Sequence, residues 1–78
     1  MADEWISDFS SSNVRAFRWD SETLELTVQF GTQPGVRVTT YVYHGVPEEV
    51  YLVWIATESK GKFHAANIRN VYPFDGPL

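Results

Sequence analysis

Cysteine is missing from all 78 residues. Its absence excludes a disulfide scaffold, thiolate metal sites and cysteine nucleophiles, and it fits a reducing, cytoplasmic setting. A basic surplus is missing too. Six Lys and Arg stand against ten Asp and Glu, a formal net charge of -4. A generic nucleic-acid binder carries the opposite balance, because phosphate contacts supply most of its affinity. No apolar run approaches the ~20 residues that span a bilayer. The opening Met-Ala-Asp-Glu lacks the basic region and apolar core of a signal peptide. Internal repeats and low-complexity tracts are absent as well.

What is present is one small domain. A chain of this size buries only roughly 60% of its unfolded surface, and the 15% aromatic content offsets that shortage, since each ring buries a large area per residue ordered. The charge is unevenly spread. Residues 1–12 hold Asp3, Glu4 and Asp8 and no base, whereas residues 59–71 hold Lys60, Lys62 and Arg69 and no acid.

The first ten residues read as an arm, with Trp5, Ile6 and Phe9 spaced to give one apolar edge. Val14 to Trp19 is the first predicted strand, with Phe17 and Trp19 on one face and Arg18 on the other. Asp20-Ser21-Glu22 is a turn by composition. Thr23 to Phe30 is the clearest strand: Leu24, Leu26, Val28 and Phe30 alternate with polar residues, the mark of a half-buried antiparallel strand. After the Gly31 to Gly35 turn, Val36 to Tyr43 returns as a third strand. Two sets alternate there, and the valines are expected to face the core near the turn, with a bulge as the device that would turn the facing before Tyr41 and Tyr43.

The stretch Tyr41 to Tyr51 runs from strand into helix. Pro47 suits a first helical turn, and Glu48 and Glu49 complement the positive end of the helix dipole. The predicted helix extends from Pro47 to about Glu58. Val50, Tyr51, Trp54 and Ile55 make one apolar face, and Leu52, Val53 and Ala56 point largely the other way. A helix apolar on more than one side needs a second cover, either the Trp5, Ile6 and Phe9 arm or a partner protein. Ser59 is positioned to cap a second short helix with Phe63, Ala66 and Asn67 in its turns and Ile68 as last anchor. Proline limits the tail from Val71 to Phe74, which should lie extended along the body and pack Tyr72. Residues 75–78 should be frayed.

Candidate chemistry is sparse. His44 and His64 lack carboxylates at ligand spacing, so a metal site has no motif behind it, and a local hydrogen bond is the expected role of His44. The Gly61-Lys62 pair follows a helix and lacks the first glycine of a nucleotide-binding loop. A milder reading of Ser59 to Lys62 is an anion site built from helix-start amides with Lys60 and Lys62; the plainer one is a helix-to-helix turn with solvated lysines. Tyr41 and Tyr43 share a strand face. With Lys60, Lys62, His64 and Arg69 they form a candidate stacking surface for single-stranded RNA; the plainer alternative packs both rings beneath the second helix. No serine has a base beside it, and no acid–base pair supports an enzyme. No cofactor or small-molecule substrate is expected.

Several short pieces then occur in a telling order: Ser11-Ser12-Asn13-Val14, Trp19-Asp20, Tyr41-x-Tyr43, Val46-Pro47, Ser59-Lys60-Gly61-Lys62-Phe63, Ile68-Arg69 and Tyr72-Pro73. Together they resemble the KTSC domain, a family named for its occurrence at the C-terminus of some lysyl-tRNA synthetases and found also as small bacterial and phage proteins. The resemblance implies a KTSC-like domain over residues 11–74 and, from the synthetase context, RNA binding. Three departures stand out: the longer hairpin with Gln33-Pro34-Gly35-Val36, the apolar outer helix positions Leu52 and Ala56, and the arm bearing Trp5 and Phe9. All three suit a protein partner. The expected fold is α+β: a three-stranded antiparallel meander, a main helix, a short second helix and an extended tail. The expected function is a non-enzymatic module docking on a protein through the outer helix positions Leu52, Val53 and Ala56, or through the long hairpin near Pro34. The alternative is RNA or polyanion binding through Tyr41, Tyr43, Lys60, Lys62, His64 and Arg69.

Overall fold

A computed structural model describes residues 4–11 and 13–78. Its elements run β1 (Val14–Asp20), β2 (Glu25–Phe30), β3 (Thr39–Tyr43), α1 (Glu48–Ala56), α2 (Lys60–Asn67) and β4 (Phe74–Asp75). The strands form one antiparallel sheet in the order β1-β2-β3-β4. The α+β class with two helices is as the sequence indicates, but the sheet has four strands rather than three. The tail, expected to lie merely extended, supplies the fourth. Phe74 pairs with Tyr43 and Asp75 with Val42, and the Leu78 amide donates to the Thr40 carbonyl at 2.8 Å. Pro73 stands just before β4, so the missing N–H falls outside the ladder.

Strand β1 carries a bulge between Val14 and Ala16. One extra residue there puts Val14 and Phe17, three apart in sequence, on the same core face. The β1–β2 turn is tied by the Asp20 carboxylate, which accepts from the Glu22 and Thr23 amides at 2.8 and 3.3 Å. Leu24 lies in this turn at φ 59. It is exposed and is not the first inward residue of β2 that alternation suggests.

Strand β3 is shorter than expected, and its core face is the opposite one. Leu26 pairs with Tyr43, Val28 with Tyr41 and Phe30 with Thr39. Directly paired residues share a sheet face, so the two tyrosines sit beside the buried residues of β2. Val36 and Val38 stand exposed in the loop. The loop closes with Val36 donating to the Gln33 carbonyl at 3.1 Å, with Pro34 and the positive-φ Gly35 in the central positions. Proline then positive-φ glycine is the type II arrangement. Valine propensity for strands is overridden by that turn.

Helix α1 crosses the sheet. Its Tyr51 ring stacks on Trp19 at 5.3 Å and Trp54 on Phe17 at 4.1 Å. Both buried indoles find carbonyl partners, Trp19 on Val46 at 2.8 Å and Trp54 on Lys60 at 3.0 Å, as burial of an N–H requires. Val46 and Ile68 complete the core. Asn13 lies against the start of α2, where a Cβ on Gly61 would come within 2.6 Å of its side-chain oxygen.

The arm docks on β1, not over the outer side of α1. Ile6 and Phe17 exchange backbone hydrogen bonds of 2.8 and 3.1 Å. Phe9 packs its ring on Phe17 at 5.6 Å. Trp5 turns to Arg18, whose guanidinium lies 4.9 Å from the ring centre. The expected cover by Trp5, Ile6 and Phe9 thus serves the β1 edge and the core. No helix among the described residues is long and apolar enough to cross a membrane.

Candidate functional site

Two surfaces arise from these elements. The first gathers four of the six residues named as an RNA or anion site. Tyr41 and Tyr43 from β3, His64 from α2 and Arg69 just beyond α2 line a depression of about 340 Å³, together with Asn13, Phe30, Thr39 and Phe74. Alternation on β3 projects both tyrosines to the same side, and β4 brings Phe74 within 5.6 Å of each ring. The wall is mostly built, not free. Tyr43 is buried and its hydroxyl lies 2.8 Å from His64 Nε2. Burial, and secondarily the Arg69 charge, lowers the His64 pKa to about 4. At neutral pH the ring is therefore neutral and shares one hydrogen bond with Tyr43. Burial first and the neighbouring Tyr41 second raise the Tyr43 phenol pKa, against an opposing pull from Arg69. Arg69 is exposed and has no ion-pair partner among the described residues.

The two lysines go elsewhere. Lys60 is buried, and its Nζ donates to the Ile55 carbonyl at 3.1 Å and to the Thr57 carbonyl. These carbonyls lie at the C-terminal end of α1, where orphan acceptors and the negative end of the dipole favour a cation. Phe9 sits beside the ammonium, 5.4 Å from Nζ to ring centre. Lys60 is thus a cap for α1, a role that residue type and spacing did not reveal because the partner carbonyls belong to the backbone. Lys62 is exposed and lines a second cleft of about 450 Å³ at the start of α2 with Ser10, Ser11, Ser59 and Lys60, the residues of the candidate anion site, and with the Glu58 carboxylate beside them. Ser59 precedes α2 as expected but makes no side-chain capping bond.

His44 gains partners that are distant in sequence. Nε2 lies 2.8 Å from Asp75 and Nδ1 3.3 Å from Glu25. The ring bridges β2 and β4, with each nitrogen facing a different carboxylate. Among the described residues, no group of three or more His, Asp or Glu converges on a metal position.

The second surface is the outer side of α1. Leu52 is 53% exposed, Val53 54% and Ile55 38%. Ala56 is exposed beside them. Helical spacing places Ile55 on the inner face, yet it is exposed; only Tyr51 and Trp54 are buried, and Val50 is intermediate. Pro34, the alternative docking position, is exposed in the β2–β3 turn, away from the helix residues as the hairpin reading has it.

Comparison with known proteins follows this geometry. The KTSC domain model matches residues 10–72. The crystal structure of a KTSC domain protein from Yersinia pestis superposes with a TM-score of 0.77 at 26% identity, covering 92% of this chain and 93% of that one. No curated protein matches the chain in sequence.

Proposed function

The chain belongs to the KTSC domain family, and on that footing we propose that it is a non-enzymatic binding module that docks on another protein through the outer face of α1. The observation that carries this reading is the exposure of Leu52, Val53 and Ile55 on one short helix, with the described part of the arm engaged on β1 instead. Large apolar side chains grouped on a soluble surface mark interaction sites. Inner residues Tyr51 and Trp54 anchor the same helix, so the face is held rigidly and little ordering opposes docking. The test is capture from nuclease-treated lysate with the wild-type chain and Leu52→Asp. Leu52 is more than half exposed and outside the buried core, so the variant should keep the wild-type circular dichroism and lose the captured protein. Equal capture by both chains would remove the reading.

A second reading rests on the aromatic depression. Arg69, unpaired among the described residues beside Tyr41, Phe74 and the neutral His64, suits a base stacked on a ring with its phosphate on the guanidinium. Lys60 contributes no free charge to it. RNA binding there should weaken as salt rises and be lost on Arg69→Glu. Binding indifferent to both changes would dismiss it.

A further inference from the structure

The charges around the apolar face of α1 specify its partner. Glu48 and Glu49 stand exposed at the start of the helix, and Glu58 stands exposed just past its end. No Lys or Arg lies within α1. The nearest base after it, Lys60, is turned inward onto the helix carbonyls. The face is therefore an apolar strip that is acidic at its start, through Glu48 and Glu49, while beyond its end Glu58 shares a cleft with Lys62.

Resting on the docking reading above, we infer that this face takes a basic amphipathic segment of a different protein, an apolar strip flanked by Lys or Arg, and not a second copy of this chain. Two copies packed face to face would set glutamate against glutamate in either direction. Parallel helices bring Glu48 and Glu49 onto their counterparts; antiparallel helices bring them onto Glu58. Like charges facing each other at an interface disfavour that pairing. The size of the patch points the same way. Nine residues of helix present a strip about 13 Å long and roughly 10 Å wide, on the order of 130 Å², well short of the ~800 Å² per partner that a stable dimer buries. A small apolar contact gains from an ionic rim that steers encounter and selects the partner.

The experiment uses the full chain and two short synthetic helical peptides with the same leucine strip, one flanked by lysines and the other by glutamates. Amide NMR shifts are followed at low and high salt. The lysine peptide should shift α1 resonances and bind at least ~10-fold tighter than the glutamate peptide at low salt, the ratio shrinking as salt screens the rim. Glu49→Lys should remove most of that preference. Thr27→Lys with Thr40→Lys alters net charge by the same amount on the opposite sheet face and should leave it. Equal loss in the two charge variants, shifts outside α1, or no binding of the lysine peptide would overturn the inference. So would a dimer in sedimentation that Leu52→Asp dissolves. If both peptides bind α1 equally and Leu52→Asp abolishes both, docking stands and the basic partner falls. If neither peptide moves α1 and lysate capture ignores Leu52→Asp, docking falls with it.

Discussion

Tyr51 and Trp54 share one nine-residue helix with Leu52 and Val53, and the two pairs lead opposite lives. The first pair lies under two strand aromatics, stacked at 5.3 and 4.1 Å. The second pair is more than half exposed. All four are apolar, so hydrophobicity alone does not separate them. What separates them is a matching ring on the sheet: Trp19 and Phe17 project upward from alternate positions of β1 at the spacing that receives residues three apart on a helix. A side chain becomes core when another element presents a surface to it, and this sheet presents two such places.

The widest way to test that contrast is truncation on each side. Trp54→Ala removes a fully buried ring and should cost about 3–5 kcal/mol, most of the stability of a domain this small. Urea unfolding should show the variant largely unfolded or with a greatly lowered midpoint. Val53→Ala should stay within about 0.5 kcal/mol of wild type. Comparable losses at the two positions would mean that the outer face is packed against something.

The contrast extends to titration. His64 is buried against Tyr43, whereas His44 bridges two carboxylates at the surface. With a folded pKa of about 4 against an ordinary 6.5, His64 takes up a proton more readily in the unfolded chain. Stability should be flat in this term above pH 6.5 and fall as pH drops from there towards 4, by up to about 3 kcal/mol. His64→Gln keeps a partner for the Tyr43 hydroxyl and loses the titration. The difference between wild-type and variant urea midpoints, followed from pH 7 to 4, isolates the His64 contribution. Parallel curves would place His64 in water.

Lys60 and Lys62 sharpen the comparison at smaller scale. Lys60→Met strands two carbonyls at the end of α1 and should cost about 2 kcal/mol, while Lys62→Met should change the thermal midpoint little. The sequence marked both as solvated or anion-binding. Nothing in residue type distinguishes a lysine that turns back on the preceding helix from one that faces water. The same limit explains the uneven legibility of the fold. Strands β1 and β2, helix α1 and the breaks at Ser59 and Ile68 follow from alternation, proline and apolar spacing, all local signals. The facing of β3, the fourth strand and the His44 bridge depend on pairings between residues about 15 to 30 apart, such as Leu26 with Tyr43 and His44 with Asp75. Periodicity offers two faces of β3 and no means to choose. In the aromatic depression, Tyr41, Tyr43, His64 and Arg69 were legible as a group, and Phe30 and Phe74 were not, because alternation had already assigned Phe30 to the core and Pro73 had argued against a strand at Phe74.

Leu24 gives the smallest and most local test. Alternation makes it the first inward residue of β2, yet the chain is still turning there, at φ 59. Its carbonyl accepts from Val46 at 3.0 Å and its amide donates to Asp20 at 2.8 Å, so hydrogen bonds at both ends hold it in the left-handed region. For a residue with a branched carbon chain that conformation costs roughly 1–2 kcal/mol, and asparagine tolerates it better. Leu24→Asn preserves both backbone bonds and gives up only a partly exposed side chain. The variant should therefore gain about 0.5 kcal/mol, read as a rise of a few degrees in the thermal midpoint. A lower midpoint would mean that the Leu24 side chain contributes more than its backbone strain takes away.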